Sequence, residues 1–249
     1  MRIKTLLASS IIALGLCSGA NAYTPIELPQ LNTNIENWSD GSRYNPYFPS
    51  DSQLGGVPFK LIQDDAGNNS FIGTLTIPIG IFGVSTVYTL INTATGQLGA
   101  QVGTLTAIGS SGAIQSFALV VGDNIRDHYY GNYVNTISSN YVTLNVAGGS
   151  QPGTAHLDMQ AFALNSEFAQ QTLTSITFSG AGGNPQGVPF IAGLTVSAVP
   201  EPHSLLMWLA GILLFAYRAK VSNNVSGYKP PIKCVGRMAS SIWISSTNK

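Results

Sequence analysis

One segment of the chain concentrates side chains that could contact a ligand. Residues 122–133 follow a predicted strand and combine carboxyl, amide, guanidinium and phenol groups. Carbohydrate sites place a few polar groups among aromatic rings, which cover the C–H faces of sugars. The candidate sugar contacts are Arg126, Asp127, Tyr129, Tyr130 and Tyr133. The alternative is a loop whose tyrosines pack on the domain and whose Arg126 pairs with Asp123 or Asp127.

Two other groups of residues have ligand types that metals accept. Asp64–Asn69 surrounds Gly67 with oxygen-bearing side chains, as a calcium loop does, but has no closing glutamate. We therefore expect a hairpin loop held by Asn and Asp turns, with calcium as the alternative. His156 and Asp158 alternate onto one face of a predicted strand, but two ligands make an incomplete site. We expect a solvent-facing stripe there, and neither a metal nor a cofactor.

The sequence contains no pattern typical of a catalytic centre. The body of the chain has two histidines and no cysteine, and Gly-x-Ser-x-Gly does not occur. Two carboxylates make a glycosidase pair only when they lie about 5 to 9.5 Å apart, which the sequence does not fix. We expect a protein that is not an enzyme, and the alternative is a secreted carbohydrate-active enzyme.

Charge is distributed unevenly along the chain. Between Tyr23 and Val199 there are three basic and ten acidic residues, whereas residues 200–249 have six basic residues and one acidic one. An acidic body is a poor match for phosphates, so we expect no nucleic-acid partner. The two cysteines, Cys17 and Cys234, fall outside the body, which therefore has no disulfide of its own.

The first 22 residues have the pattern of a secretory signal peptide. Arg2 and Lys4 precede an apolar run over 6–16, and the segment ends in Ala20-Asn21-Ala22, an A-x-A cleavage pattern. The sequence therefore predicts export and removal of residues 1–22.

The other end resembles the PEP-CTERM sorting signal of exported bacterial proteins. Pro200, Glu201 and Pro202 precede an apolar run over Leu205–Tyr217, and the basic flank Arg218 and Lys220 follows. The resemblance implies that an exosortase-type membrane enzyme recognises and cleaves the signal. The released protein would then reach the cell surface or the extracellular matrix, with exopolysaccharide as a candidate partner.

The residues of this end are compatible with that implication. Two prolines around Glu201 favour an extended backbone that a protease can bind. The basic flank would remain cytoplasmic by the positive-inside rule. The apolar run has 13 residues, whereas a span needs about 20, so we expect the helix to recruit residues 199–204 as well. The alternative is a permanently anchored envelope protein.

The body between the two ends has the pattern of an all-β domain. Short runs of β-branched and aromatic residues alternate with turns rich in Gly, Asn, Asp and Ser, and a short turn is predicted near Glu167–Gln171. This pattern predicts an antiparallel β-sandwich or jelly roll, followed by a C-terminal transmembrane helix. The predicted strands are Val57–Ile62, Phe71–Ile77, Val84–Ile91, Val102–Ile108, Ile114–Val121, Tyr141–Val146, Ala155–Leu164, Thr172–Phe178 and Val188–Val196.

The first and last predicted strands share a short repeat. Gly56-Val57-Pro58-Phe59 recurs as Gly187-Val188-Pro189-Phe190, which suggests that the two ends of the domain lie side by side. In this repeat and in its strand spacing, the body resembles galactose-binding-like jelly rolls.

These inferences divide the chain into five parts. They are a signal peptide (1–22), an irregular N-terminal arm (23–54), a β-sandwich (55–197), a sorting signal with its hydrophobic helix (198–220) and a basic tail (221–249). The expected product is an exported structural or adhesive protein. It would be anchored in inner-membrane lipid by its C-terminal helix and then sorted to the surface or the extracellular space.

Overall fold

The computed structural model describes residues 22–38, 47–131, 133–145, 155–181, 186–199, 208–216 and 218. The chain divides into two compact units, Met1–Glu201 and Pro202–Lys249. Among the described residues, the strands lie in the first unit, and the second unit contains a helix at 208–216.

The described part of the first unit contains twelve strands. A 3₁₀ turn (Ile35–Asn37) lies between β1 and β2, and a second (Ser166–Gln170) between β10 and β11, where a short turn was predicted. The strands are β1 (Ala22–Ile26), β2 (Ser50–Leu54), β3 (Val57–Leu61), β4 (Phe71–Ile72), β5 (Thr74–Phe82), β6 (Val84–Ala94), β7 (Gln101–Gly109), β8 (Ile114–Val120), β9 (Tyr141–Asn145), β10 (His156–Ala163), β11 (Thr172–Gly180) and β12 (Val188–Ala198).

The strands build two sheets and a hairpin, and every pairing between them is antiparallel. The central sheet has the order β1-β12-β6-β10-β9, with β4 also beside β12. The outer sheet has the order β5-β11-β7-β8. Strands β2 and β3 form the hairpin. The prediction of an all-β, antiparallel domain is therefore confirmed.

Two apolar clusters cover the two faces of the central sheet. The larger cluster joins it to the outer sheet, with Ile77, Leu105 and Phe178 meeting Val87 and Leu194. The smaller cluster joins its opposite face to the β2–β3 hairpin. The central sheet is thus covered on both faces, whereas the outer sheet has one face on the core and one exposed.

Alternation along the strands produces this arrangement. In β5, Leu75 and Ile77 are buried, whereas Thr74 and Thr76 between them are exposed. Successive side chains of a strand point to opposite faces, so a period of two places one set in the core and the other outside.

Glycines mark the points where the chain changes sheet. The predicted strand Phe71–Ile77 is divided at Gly73, because β4 pairs with the central sheet and β5 with the outer one. Gly83 alone separates β5 from β6 and returns the chain to the central sheet. Both have positive φ, 100° and 69°, which glycine adopts without the steric penalty of a Cβ atom.

The repeated Gly-Val-Pro-Phe segments come into contact. The Thr195 hydroxyl of β12 donates to the carbonyl of Pro58 in β3. Phe59 and Phe190, from the two copies of the repeat, are fully buried in the same cluster. Strand β3 packs against β12 without forming a backbone ladder with it, since its ladder partner is β2.

Each of the nine predicted segments contains a strand in the structure, one of them is divided at Gly73, and the N-terminal part of the domain also differs from the prediction. Residues 23–54, predicted to be mostly irregular, include most of β1, the first 3₁₀ turn and β2. β1 pairs along β12 from Ala22↔Ala198 to Ile26↔Leu194. Within the described residues, no helix has the length and apolar character required to cross a membrane.

Candidate functional site

A polar cluster lies where β6 and β10 separate. Their ladder runs from Ala163↔Thr86 to Met159↔Leu90 and stops before Asn92 and Asp158. Residues 126–128 occupy the gap: the Thr93 amide donates to the Arg126 carbonyl at 3.0 Å, and the His156 amide donates to the His128 carbonyl at 2.9 Å. This insertion brings Arg126 to Asp158.

A local turn directs the inserted segment. The Asp127 carboxylate accepts a hydrogen bond from the Tyr129 amide at 2.7 Å, and the Asp127 amide donates to the Val134 carbonyl. Asp side chains commonly bond to the backbone two residues further on and so stabilise a turn. Gly122, with φ 86°, opens the loop after β8.

Arg126 and Asp158 form a buried, two-pronged ion pair. Arg126 Nε lies 2.7 Å from Asp158 Oδ2, and Nη2 lies 2.9 Å from Oδ1. The side chains are 4% and 0% exposed. Two parallel N–H···O bonds fix the guanidinium and the carboxylate in one plane, a geometry that lysine could not reproduce.

Further groups satisfy the remaining sites on the carboxylate. Asn92 Nδ2 donates to Asp158 Oδ2 at 2.7 Å, and the Asn92 side-chain carbonyl accepts from the Asp158 amide at 2.8 Å. The Thr143 hydroxyl donates to Asp158 Oδ1 at 2.7 Å. Burial alone raises the pKa of Asp158, but the bonds from Arg126 and the neighbouring His156 lower it below the usual value.

The guanidinium has partners beyond the carboxylate. Arg126 Nη1 donates to the carbonyl of Asn135 at 2.7 Å, and Nη2 donates to the Thr143 hydroxyl at 3.0 Å. Its central carbon lies 4.7 Å from the ring centre of Tyr141 and 5.5 Å from that of Tyr130. These are cation–π distances, so two tyrosines border the buried cation.

Two histidines adjoin the ion pair. His156 Nε2 lies 3.4 Å from Asp158 Oδ2, and the His156 ring is 4.3 Å from that of Tyr130. His128 packs against Trp38 and Phe190, with ring centres 5.0 and 5.7 Å away. Burial, with a smaller contribution from His156, lowers the pKa of His128 to about 3.

The cluster is arranged to hold fixed charges. Burial also lowers the pKa of His156, against the opposing effect of Asp158, so both histidines are neutral at pH 7 while Asp158 is ionised. Acid–base catalysis works best with a pKa near the operating pH. The pKa values of Asp158, His128 and His156 are shifted away from that range. The arrangement is therefore suited to holding β6, β10 and the 126–128 segment together.

The predicted sugar contacts occupy different environments. Arg126 and Asp127 are 3% and 1% exposed, Tyr129 and Tyr130 are half-buried, and Tyr133 is 49% exposed. The alternative interpretation of this loop predicted that Arg126 pairs with Asp123 or Asp127. In the structure, its carboxylate partner is Asp158. A sugar-contact role for these five residues stays a prediction, and of the five only Tyr133 is largely exposed.

The expected solvent-facing stripe on β10 is wrong. His156 and Asp158 are both fully buried, because the 126–128 segment covers the polar half of the strand. The sequence pattern did not predict this burial. It also did not predict that Asn92, which lies just past the predicted end of its strand, bonds to Asp158. Among the described residues, no group of three or more His, Cys, Asp or Glu side chains is placed to hold a metal ion.

The loop at 64–69 is organised by its own hydrogen bonds. Asp64 Oδ1 accepts from the amides of Ala66 and Asn68 at 3.0 and 2.8 Å, and Oδ2 accepts from Asn68 Nδ2 at 2.9 Å. This is the Asx turn that the sequence favours over a calcium loop.

Most of the processing signals lie outside the described residues. These are Ala20 at the signal cleavage site, Pro200, Glu201 and Pro202 of the sorting motif, and Lys220 of the basic flank. Ala22 begins β1, and Arg218 is helical and exposed. No protein-family model matches the chain, and no curated protein matches it significantly.

Proposed function

We propose that the chain is an exported bacterial surface or matrix protein with a structural or adhesive role. In this proposal, exosortase-type processing at the Pro200-Glu201-Pro202 motif follows transient anchoring by a C-terminal transmembrane helix. The order of motif, apolar run and basic flank supports the sorting step. The antiparallel β domain, with its buried ion pair, supports a stable extracellular module.

The observation that carries the proposal is the helix at 208–216. Its apolar side chains are exposed: Trp208 by 74%, Leu213 by 68%, Leu214 by 65% and Phe215 by 80%. A helix that is hydrophobic on all sides is typical of a buried or lipid-embedded environment. Lipid is the environment that the sorting hypothesis supplies.

The decisive experiment follows the full chain in its native host. We expect mass spectrometry of the wild-type mature protein to show that both ends have been removed and that the protein is at the surface or in the medium. Replacing Pro200, Glu201 and Pro202 with alanine should leave the C-terminal segment attached and the protein in the membrane fraction. The matched control replaces Pro152, Glu167 and Pro185, and should be processed like the wild type.

The other outcomes separate the alternatives. A wild-type protein that retains residues 200–220 in the membrane would favour a permanently anchored envelope protein. A reporter fused to Pro200–Lys220 that stays soluble in the periplasm would refute the anchoring step altogether. Turnover of a polysaccharide by the purified chain would favour the enzyme.

A further inference from the structure

The exposed face of the outer sheet is free of charge. The strands β5, β7, β8 and β11 are described in full and contain no Asp, Glu, Lys, Arg or His. The charged residues of the first unit that the structure describes all lie elsewhere, in the central sheet, the hairpin and the loops. Exposed sheet faces usually carry charged side chains, which also oppose unwanted association.

Hydroxyl groups replace the charges. We use the name hydroxyl face for the outward side chains Thr74, Thr76, Thr104, Thr106, Ser116, Thr177 and Ser179, all exposed or half-buried. Three of the four strands contribute a Thr-x-Thr or Thr-x-Ser pair, at 74–76, 104–106 and 177–179. The spacing of two residues places both hydroxyls of each pair on the same side.

The strand register aligns these hydroxyls into rows. One row crosses all four strands, because Thr177 pairs with both Thr76 and Thr106, and Thr106 pairs with Ser116. Neighbouring strands are about 4.7 to 4.9 Å apart, which sets the spacing of the residues along the row, while their hydroxyl oxygens approach more closely in two pairs. Thr76 Oγ1 lies 3.2 Å from Thr177 Oγ1, and Thr106 Oγ1 lies 2.9 Å from Ser116 Oγ.

A second row lies two residues further along the strands. Ser179 pairs with Thr74 and Thr104, and Thr104 pairs with Ala118. The Thr74 and Ser179 hydroxyls are 3.1 Å apart. Hydrogen bonds between neighbouring hydroxyls restrict their rotation, so a ligand meets groups that are already ordered.

A mostly apolar row, which also contains Ser175, flanks the hydroxyls on the other side. Ser175 pairs with Pro78 and Ile108, and Ile108 pairs with Ile114, whose side chain is 65% exposed. The face therefore offers periodic hydroxyls next to aliphatic groups. Sugars present the same combination, with hydroxyls at the ring edge and C–H groups on the ring faces.

The chemistry of the face argues against other macromolecules. A nucleic acid or an anionic polymer requires Lys or Arg, and these four strands contain neither. Protein interfaces are enriched in aromatic residues, Met and Arg and are poor in Ser, and Thr is uncommon among the residues that dominate binding energy. An uncharged, hydroxyl-rich face is complementary to an uncharged, hydroxyl-rich partner.

We propose that the hydroxyl face binds a neutral polysaccharide, whose repeating hydroxyls bond to the aligned threonines and serines across the outer sheet. The proposal rests on the proposed function of an exported structural or adhesive protein, for which exopolysaccharide is the candidate partner, and it assigns that contact to this face. The loop at 122–133 is then a support of the domain, with its arginine held by Asp158.

The test measures retention of the purified full chain on insoluble neutral polysaccharides, with cellulose and curdlan as probes and alginate as the anionic comparison. We expect retention on at least one neutral probe, little on alginate, and no change between low and high salt because no ion pair is involved. The variant Thr76→Lys/Thr106→Lys places two charges in the middle of the face and should weaken binding at least tenfold.

The matched control is Thr24→Lys/Thr136→Lys. It adds the same two charges at exposed threonines outside the outer sheet and should bind like the wild type. Tyr129→Ala tests the competing candidate site in the 122–133 loop, and loss of retention in this variant alone would place the contact there. Far-UV circular dichroism and the urea midpoint establish that each variant is folded.

Several results would overturn the proposal. They are wild-type protein that no neutral probe retains, equal retention of Thr76→Lys/Thr106→Lys, or loss of binding in Tyr129→Ala alone. If the protein changes the shape of growing ice crystals but is not retained on polysaccharide, the hydroxyl face would be an ice-binding surface. Sedimentation showing a dimer that the same two substitutions dissociate would assign it to a second copy. None of these readouts depends on C-terminal processing, so failure here is distinguishable from failure of the sorting hypothesis.

Discussion

The two sheets of this domain differ in where their polar side chains lie and whether these are charged. The central sheet buries an arginine, an aspartate and two histidines, and satisfies the ion pair through Asn92 and Thr143. The strands of the outer sheet have no charged residue, and their exposed face is rich in hydroxyl groups. Both sheets are antiparallel and share one apolar core.

Buried charges and exposed hydroxyls have different consequences for the fold. A buried charge requires a complete set of partners, so its position specifies which segments must meet. In this domain the ion pair fixes the 126–128 segment between β6 and β10. Exposed hydroxyls place little demand on the fold and remain available for a ligand. We therefore expect stability to depend on the central cluster, and our proposal assigns recognition to the outer face.

Breaking the ion pair is expected to produce the largest effect. Asp158→Ala leaves the Arg126 guanidinium buried without its carboxylate, and should lower the free energy of unfolding by about 3–5 kcal/mol. Urea denaturation followed by circular dichroism measures the loss. The control is Glu27→Ala, which removes the exposed Glu27–Lys60 pair and should leave the urea midpoint within error of the wild type.

A double variant tests whether the charges themselves are needed. Replacing both partners, as in Arg126→Met/Asp158→Leu, removes the buried charges together and should recover much of the stability lost in Asp158→Ala. Similar midpoints for Asp158→Ala and the wild type would contradict the assigned role of the pair.

The histidines make the central sheet sensitive to acid. The pKa of His128 is about 3 in the folded state, against about 6.5 in an unfolded chain, so the unfolded state binds more protons between these values. Stability is therefore complete above pH 6.5 and falls as the pH decreases. His128 should account for roughly 2 kcal/mol between pH 6.5 and 5, and the lowered pKa of His156 adds in the same direction.

Urea denaturation at a series of pH values measures this dependence. His128→Phe keeps an aromatic ring beside Trp38 and Phe190 and should flatten the profile between pH 6.5 and 5. A wild-type profile that is already flat in this window would show that His128 does not remain neutral in the fold. The outer sheet has no titratable group and should contribute nothing to the profile.

The sequence predicted the strands better than it predicted the site. Period-two alternation and glycine-rich turns are local signals, and they located all nine predicted strands. The pairing of Arg126 with Asp158 joins residues 32 positions apart, through a gap that opens only when β6 and β10 diverge. Local alternation therefore placed His156 and Asp158 on a wet face, since nothing in β10 itself indicates the segment that covers it.

The outer sheet shows the opposite situation. The pairs Thr74-x-Thr76, Thr104-x-Thr106 and Thr177-x-Ser179 are visible in the sequence, but only the strand register aligns them. The strand order β5-β11-β7-β8 brings together residues about 100 positions apart. A search for repeated Thr-x-Thr pairs in predicted strands would have found the candidate residues, although not their order in the sheet.

An unsatisfied hydroxyl in the central sheet provides a smaller test. Thr89 of β6 is fully buried, and its hydroxyl lacks a hydrogen-bond partner among the described residues. Thr89→Val keeps the shape and removes the desolvated hydroxyl, so it should raise the free energy of unfolding by about 1 kcal/mol. The control is Thr76→Val on the outer sheet, where the exposed hydroxyl should contribute little. An unchanged or lower urea midpoint for Thr89→Val would indicate that the buried hydroxyl is satisfied.

The smallest effect on stability is expected from charging the outer face. Thr76→Lys and Thr106→Lys lie on strands separated by β11, so the two ammonium groups are not direct neighbours. Each exposed substitution should change the free energy of unfolding by no more than about 0.5 kcal/mol, as measured by urea denaturation. Unfolding with a much lower midpoint would mean that the fold itself requires an uncharged face. An unchanged midpoint would mean that folding tolerates charge on this face, so stability would not account for the absence of charge there.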